Sequence, residues 1–129
     1  MDDRAIEILK RFEASWDQTK ARFDELIALD DYFKRLIAVR EFIAKLELAE
    51  GKKLFRLGTS MHELLISRSV DHGLREDQKY IHIEALGQDD FKVSLREGSK
   101  TYGQYRVKDL KDTRVIKLLQ TLKSTLTIH

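Results

Sequence analysis

The hydrophobic and polar positions of this chain change period near Gly51. Before it they recur as in helices, and after it most of them alternate as in strands. Ala5, Leu9, Phe12, Trp16, Thr19, Phe23 and Leu26 follow one another at alternating spacings of four and three, the seam of a helix with one buried stripe. Asp30-Asp31 then supplies a carboxylate able to cap a second helix, where acidic groups also suit the positive end of the dipole. In that helix Tyr32, Leu36, Val39, Ile43 and Leu46 form one row, and Phe33, Ile37, Ala44 and Leu48 an adjacent one. The wider apolar arc predicts the more central of the two helices. Gly51 is expected to close it in the left-handed conformation. Residues 1–50 hold neither Pro nor Gly, so neither helix breaker interrupts this half.

From Lys52 the period is two. Lys53, Phe55 and Leu57 alternate with Leu54 and Arg56, and His62, Leu64, Ile66 and Arg68 alternate with Glu63, Leu65 and Ser67. These read as two strands around a Gly58-Thr59-Ser60 turn. Ser69 to Gln78 is polar and reads as a loop. Tyr80–Leu86 is the clearest strand, with Ile81, Ile83 and Ala85 on one face and Tyr80, His82 and Glu84 on the other. A turn at 87–90, a strand bearing Phe91, Val93 and Leu95, a turn at Glu97-Gly98-Ser99 and a strand bearing Tyr105 and Val107 complete the series. Links this short make antiparallel hairpins rather than parallel crossovers. Asp112 or Thr113 then caps a last helix with Val115, Ile116, Leu118, Leu119 and Leu122 on its apolar side.

The predicted fold is therefore α+β: two long N-terminal helices, a four- to five-stranded antiparallel meander sheet, and a C-terminal helix. It is read as one domain over residues 1–129, with a helical hairpin at 1–50, the sheet at 51–111 and the last helix at 112–126. A first helix from Asp2 to Leu29 would be about 40 Å long, against a diameter of roughly 36 Å for a compact domain of this size. An overhanging end carrying Ile6, Leu9 or Phe12 would call for a partner, and a two-fold homodimer is the commonest way to supply one.

Composition narrows the functional classes. The chain has no Cys, which removes disulfides, thiolate metal sites and cysteine nucleophiles, and which agrees with a reducing, cytoplasmic setting. The acidic start Met1-Asp2-Asp3-Arg4 lacks the basic and apolar regions of a signal peptide, and no window is apolar enough for a membrane span. The net charge of +2 hides an uneven layout: residues 1–50 hold 9 Lys/Arg against 12 Asp/Glu, and residues 51–129 hold 15 against 10.

Candidate chemistry is sparse. The histidines His62, His72 and His82 are spaced by ten, which is not a helical ligand spacing, so no metal and no cofactor is expected. Ser67, Arg68 and His72 would line an edge pocket able to clamp an anion, the reading under which the chain is a small enzyme. Between Lys92 and Lys117 eight Lys/Arg face three Asp/Glu. There Lys92, Arg96 and Arg106 would share the sheet face opposite the core, with Lys108 nearby and Tyr80, Tyr102 and His82 as neighbours. Such a face can hold phosphates and stack bases. The primary expectation is a non-catalytic protein-interaction domain that binds a protein partner or a second copy of itself. Nucleic-acid binding through the basic face is the alternative.

Overall fold

A computed structural model describes residues 3–49, 51–69 and 78–125. Helix α1 spans Asp3–Leu29 and buries Phe12, Ser15, Trp16, Thr19, Phe23 and Leu26, the row set by the four-and-three spacing. Phe12 at the seam's outer end is only 1% exposed and Leu9 is half-buried. Of the three apolar residues near that end, Ile6 is the exposed one.

Asp30 caps the segment after α1, its carboxylate accepting the Tyr32 amide at 2.8 Å. The result is a 3-10 helix over Asp31–Leu36 that passes into helix α2 at Ile37–Leu48, instead of one continuous α-helix. The early Phe33 N–H to Asp30 carbonyl bond of 3.0 Å sets the tighter winding. Only Leu36, Val39 and Ile43 are buried here, and the adjacent row ends with Ile37 and Leu48 exposed. Phe33, Ala38, Phe42 and Leu46 pack partly buried against the core beside that row, so the contact is broad but shallow.

Gly51 does not close α2 in a left-handed conformation. It opens a single turn, α3 (Gly51–Leu54), held by the Phe55 N–H to Gly51 carbonyl bond at 2.9 Å. A Cβ at Gly51 would lie 2.6 Å from the Leu46 carbonyl oxygen and 2.8 Å from the Trp16 ring, so close approach is what demands glycine. The alternation read from Lys52 is thereby overridden, and the first strand begins only at Arg56.

The sheet is a meander in the order β1-β2-β3-β4-β5, all neighbours antiparallel. The strands are β1 (Arg56–Ser60), β2 (Glu63–Ser67), β3 (Lys79–Gly87), β4 (Asp90–Glu97) and β5 (Lys100–Val107). The first turn is not at Gly58-Thr59-Ser60, which lies inside β1. Ser60 pairs with Glu63, leaving Met61 and His62 as the two turn residues, and Met61 takes φ 59°. Gly98 has the same φ in the β4–β5 turn, where glycine adopts it without cost. Two bulges interrupt the ladders. One, between Ala85 and Gly87, leaves the Leu86 carbonyl to accept from Arg35 Nη1 at 3.0 Å. The other sets Arg96 opposite Thr101 after Leu95 opposite Gly103, so Tyr102 is the extra residue of β5.

Helix α4 (Thr113–Lys123), capped by Asp112, completes the chain. Leu57, Leu64, Ile66, Ile81, Ile83, Phe91, Val93 and Leu95 form one sheet face and join Trp16, Phe23, Ile43, Leu118 and Leu122 in a continuous core. At the β1 edge α1 reaches the strand through polar atoms. Trp16 Nε1 donates to the Phe55 carbonyl at 2.8 Å, and Ser15 Oγ accepts from Leu57 N at 3.1 Å while donating to the Phe12 carbonyl.

Two substitutions test this junction in urea melts. Gly51→Ala should cost about 1–3 kcal/mol by overpacking against Trp16 and the Leu46 carbonyl. Trp16→Phe should cost at least about 2 kcal/mol, because it strands the Phe55 carbonyl and removes buried ring area. Unchanged midpoints would mean that the junction does not hold the fold.

Candidate functional site

Strand alternation gives the sheet a second face whose residues are mostly polar. Register runs Leu65 beside His82 beside Ser94 beside Gln104, and Ser67 beside Tyr80 beside Arg96 beside Thr101. Glu84 pairs with Lys92, and Lys92 with Arg106. Near the middle His82 Nε2 meets Glu63 Oε2 at 2.8 Å, with His82 6% exposed. Ser94, its neighbour across the ladder, is fully buried. Ser94 Oγ, His82 Nδ1 and Arg96 Nε make no hydrogen bond within the protein among the described residues. An acid, an imidazole and a hydroxyl thus follow one another across three strands. The hydroxyl is neither bonded to the imidazole nor open to a substrate, so the row lacks the contact a nucleophile needs.

The basic residues expected on this face are shared out differently. Lys92 Nζ lies 3.5 Å from Glu84, and Arg106 Nε donates to Asp90 at 2.8 Å. The hydrogen bond from Arg106 holds the Asp90 carboxyl below its ordinary range, and the same bond raises the Arg106 guanidinium. Arg96 stays on the face beside Tyr80 and Ser94. Tyr102 is turned by the β5 bulge toward the core side, where its hydroxyl donates to Glu97 at 3.0 Å and Lys79 and Lys100 lie over its ring. Arg68 leaves the end of β2 toward α4 and donates to the Lys123 carbonyl, and burial lowers its pKa. His72 lies outside the described residues. His62 packs against Tyr32 and Phe33, away from His82. Among the described residues no group of three or more His, Asp or Glu is placed to hold a metal ion.

Concavity lies elsewhere, where α2, the β3–β4 turn and the segment after β5 meet. A cavity of about 210 Å³ has Ala38, Phe42, Phe91 and Leu110 as its apolar lining and Lys45, Lys108, Lys111, Glu41, Asp109 and Gln88 as its polar lining. Lys108 also lines two open clefts that continue past Arg106 and Arg114. Arg114 folds back on its own helix cap, giving Nε and Nη2 bonds of 3.0 Å to the two Asp112 oxygens. Those bonds, with the Arg114 backbone N–H, pull the Asp112 carboxyl down to about 2.

No family model, curated protein or solved structure matches this chain. Its chemistry is carried by the residues alone. A third feature is apolar. Met61 is 81% exposed, Leu29 72% and Tyr32 50%, and the His62 ring stands edge-on to Tyr32 and Phe33 at centroid distances of 6.1 and 5.7 Å. The 3-10 helix and the β1–β2 turn thus present one tip, steadied by Arg35 stacked 4.1 Å over Tyr32.

Neither the cavity nor the tip is evident from sequence patterns. Phe42 and Lys45 read there as ordinary helix residues, and Met61-His62 lacks the Asn-Gly signature of a two-residue turn. The one signal in the sequence is the Met-His pair between two alternating runs.

Asp112 supplies a pH test. A depressed carboxyl stabilises the fold fully above its ordinary value of 3.8, and that contribution is lost as pH falls toward about 2. NMR titration of the Asp112 carboxyl should give a midpoint near 2, and Arg114→Gln should move it toward 3.8. A wild-type midpoint at 3.8 would show that the Arg114 clamp does not form in solution.

Proposed function

We propose that this chain is a non-catalytic protein-interaction domain and that the tip formed by Leu29, Tyr32, Met61 and His62 is its docking surface. The observation that carries this reading is Met61. A long apolar side chain stands 81% exposed on a residue whose φ of 59° suits glycine. A non-glycine residue in that conformation costs about 1–2 kcal/mol, a cost that the side chain's own packing does little to offset. The hairpin turn sets that backbone conformation, and the use of a long apolar side chain there instead of glycine fits a residue kept for contact with something else. Tyr32, packed on the neighbouring His62, supplies an aromatic anchor and Leu29 is a further exposed apolar side chain, and aromatic residues are common centres of protein interfaces.

The partner is another protein offering an apolar hollow, and a second copy of this chain is the first to test. A cytoplasmic setting fits a chain without Cys. No helix among the described residues is long and apolar enough to cross a membrane. Nucleic-acid binding has less support, because Glu84 and Asp90 already engage Lys92 and Arg106 on the sheet face.

Met61→Gly separates binding from folding. It removes the exposed side chain and relieves the backbone, so the variant should melt no lower than the wild type. Light scattering and affinity capture should show the wild type gaining a partner, self or other, that Met61→Gly and Tyr32→Ser bind at least about tenfold more weakly. Partner profiles and masses identical among the three proteins would sink the tip as the docking surface. Salt-steep binding of labelled nucleic acid, unaffected by either variant, would favour the alternative.

A further inference from the structure

Several of the described cations of this protein are engaged by carboxylates. Lys20 reaches Glu47, Lys34 reaches Asp31 and Arg40 reaches Asp24, while Lys92, Arg106 and Arg114 hold Glu84, Asp90 and Asp112. Lys45, Lys108 and Lys111 make no ion pair among the described residues, and all three meet at the cavity between α2 and the segment after β5. Two carboxylates share the rim without closing on them. The Asp109 carboxylate accepts the Lys111 backbone N–H at 2.7 Å and so serves the turn, and Glu41 stands one helical turn before Lys45. The rim is left with one net positive charge.

Beneath the rim the lining changes character. Phe91 and Leu110 are core residues whose edges reach the cavity, and Ala38 and Phe42 complete an apolar floor. Volume limits the occupant. Roughly 150 Å³ of apolar cavity accepts a benzene ring, so about 210 Å³ leaves room for a ring and a short polar arm. Lysine binds as a compact point charge on a flexible stem, which suits a single carboxylate approached from two sides.

From this convergence we propose that the cavity is a binding site for a small amphipathic anion: a monocarboxylate held by Lys108 and Lys111, with an aromatic or branched aliphatic body lying on Phe42 and Phe91. The apolar body is what distinguishes this ligand from a free inorganic anion. The small negative count on the rim, Glu41 and Asp109, works against ligands of high charge density and leaves the floor to supply selectivity. This site is separate from the tip around Met61 and stands or falls independently of it.

Phenylacetate is a suitable probe, titrated into the ¹⁵N-labelled full chain and followed by amide shifts. A ligand of this size should bind with a Kd on the order of 1 mM. Saturable shifts should be confined to residues 38–45, 88–91 and 108–111. Losing the two charges in Lys108→Gln/Lys111→Gln should weaken binding at least about tenfold. Ala38→Leu, which fills the floor and leaves every charge in place, should do the same. Phenylacetamide, phenethylamine and inorganic phosphate, tested on the unaltered protein, should each bind at least about tenfold more weakly than phenylacetate.

No saturable shift, shifts spread over exposed lysines generally, or full-strength binding to Ala38→Leu would each overturn the proposal. So would phenethylamine or phosphate matching phenylacetate, since the first would assign the rim to its carboxylates and the second would reduce the site to bare charge. Should either variant fail to fold, the ligand series on the wild-type protein decides alone.

Discussion

Ser15 and Trp16 of α1 take an amide of β1 and the carbonyl just ahead of the strand. The Leu57 amide goes to the serine hydroxyl and the Phe55 carbonyl to the indole N–H, at 3.1 and 2.8 Å. Every element near them is arranged around that junction. Gly51 is bare because the Trp16 ring occupies the space of its Cβ, and the single turn α3 exists to bring the chain past that ring and into the strand. An edge strand presents unpaired donors and acceptors that invite another chain. Here a helix of the same chain answers them, and the hydrophobic seam of α1 is thereby fixed along one margin of the sheet. Burial alone would press α1 on the sheet without saying where; the two hydrogen bonds give its position along the strand.

Periodicity is enough to read the elements whose partners are generic. The seam from Phe12 to Leu26, the alternation of Ile81, Ile83 and Ala85, the Gly98 turn and the Asp112 cap each depend on the local chain and a nonspecific apolar neighbour. Where tertiary contact decides, local pattern misleads. Lys53, Phe55 and Leu57 alternate like a strand, yet Gly51–Leu54 is a helical turn closed by the Phe55 N–H, with Trp16 lying against Gly51. Gly58 has the character of a turn residue, yet the turn falls on Met61-His62, since register is set by matching Leu57 and Leu64 to the core face. The functional surfaces are less legible still. Parity places Lys92 and Arg106 on one face, but their pairing with Glu84 and Asp90 depends on which strands become neighbours. Lys45 and Lys108 meet only once α2 has docked.

Charge on this molecule is therefore better described by engagement than by sum. The first 50 residues are acidic and the remainder basic, a contrast that suggests two oppositely charged faces. In the folded chain some acids and bases pair across elements, as Lys20 with Glu47 and Arg40 with Asp24 show. What stays electrostatically distinct is local: three lysines over an apolar floor, and a buried polar row at His82 and Ser94 set in the middle of the sheet. Buried polar groups of this kind cost stability while narrowing the ways strands can pair. A sheet slipped by one residue would drive that row into the hydrocarbon core and lift Ile83 and Val93 out of it.

Among the described residues no helix answers the opposite margin of the sheet, β5, as α1 answers β1. It carries instead the bulge at Tyr102, with Lys100 at one end and Arg106 near the other. An incoming strand needs an unbroken row of evenly spaced backbone groups, and the extra residue throws that row out of step partway along. Two differently built margins thus reach the same end: neither offers the unbroken row of backbone groups that strand-by-strand extension of a sheet would need.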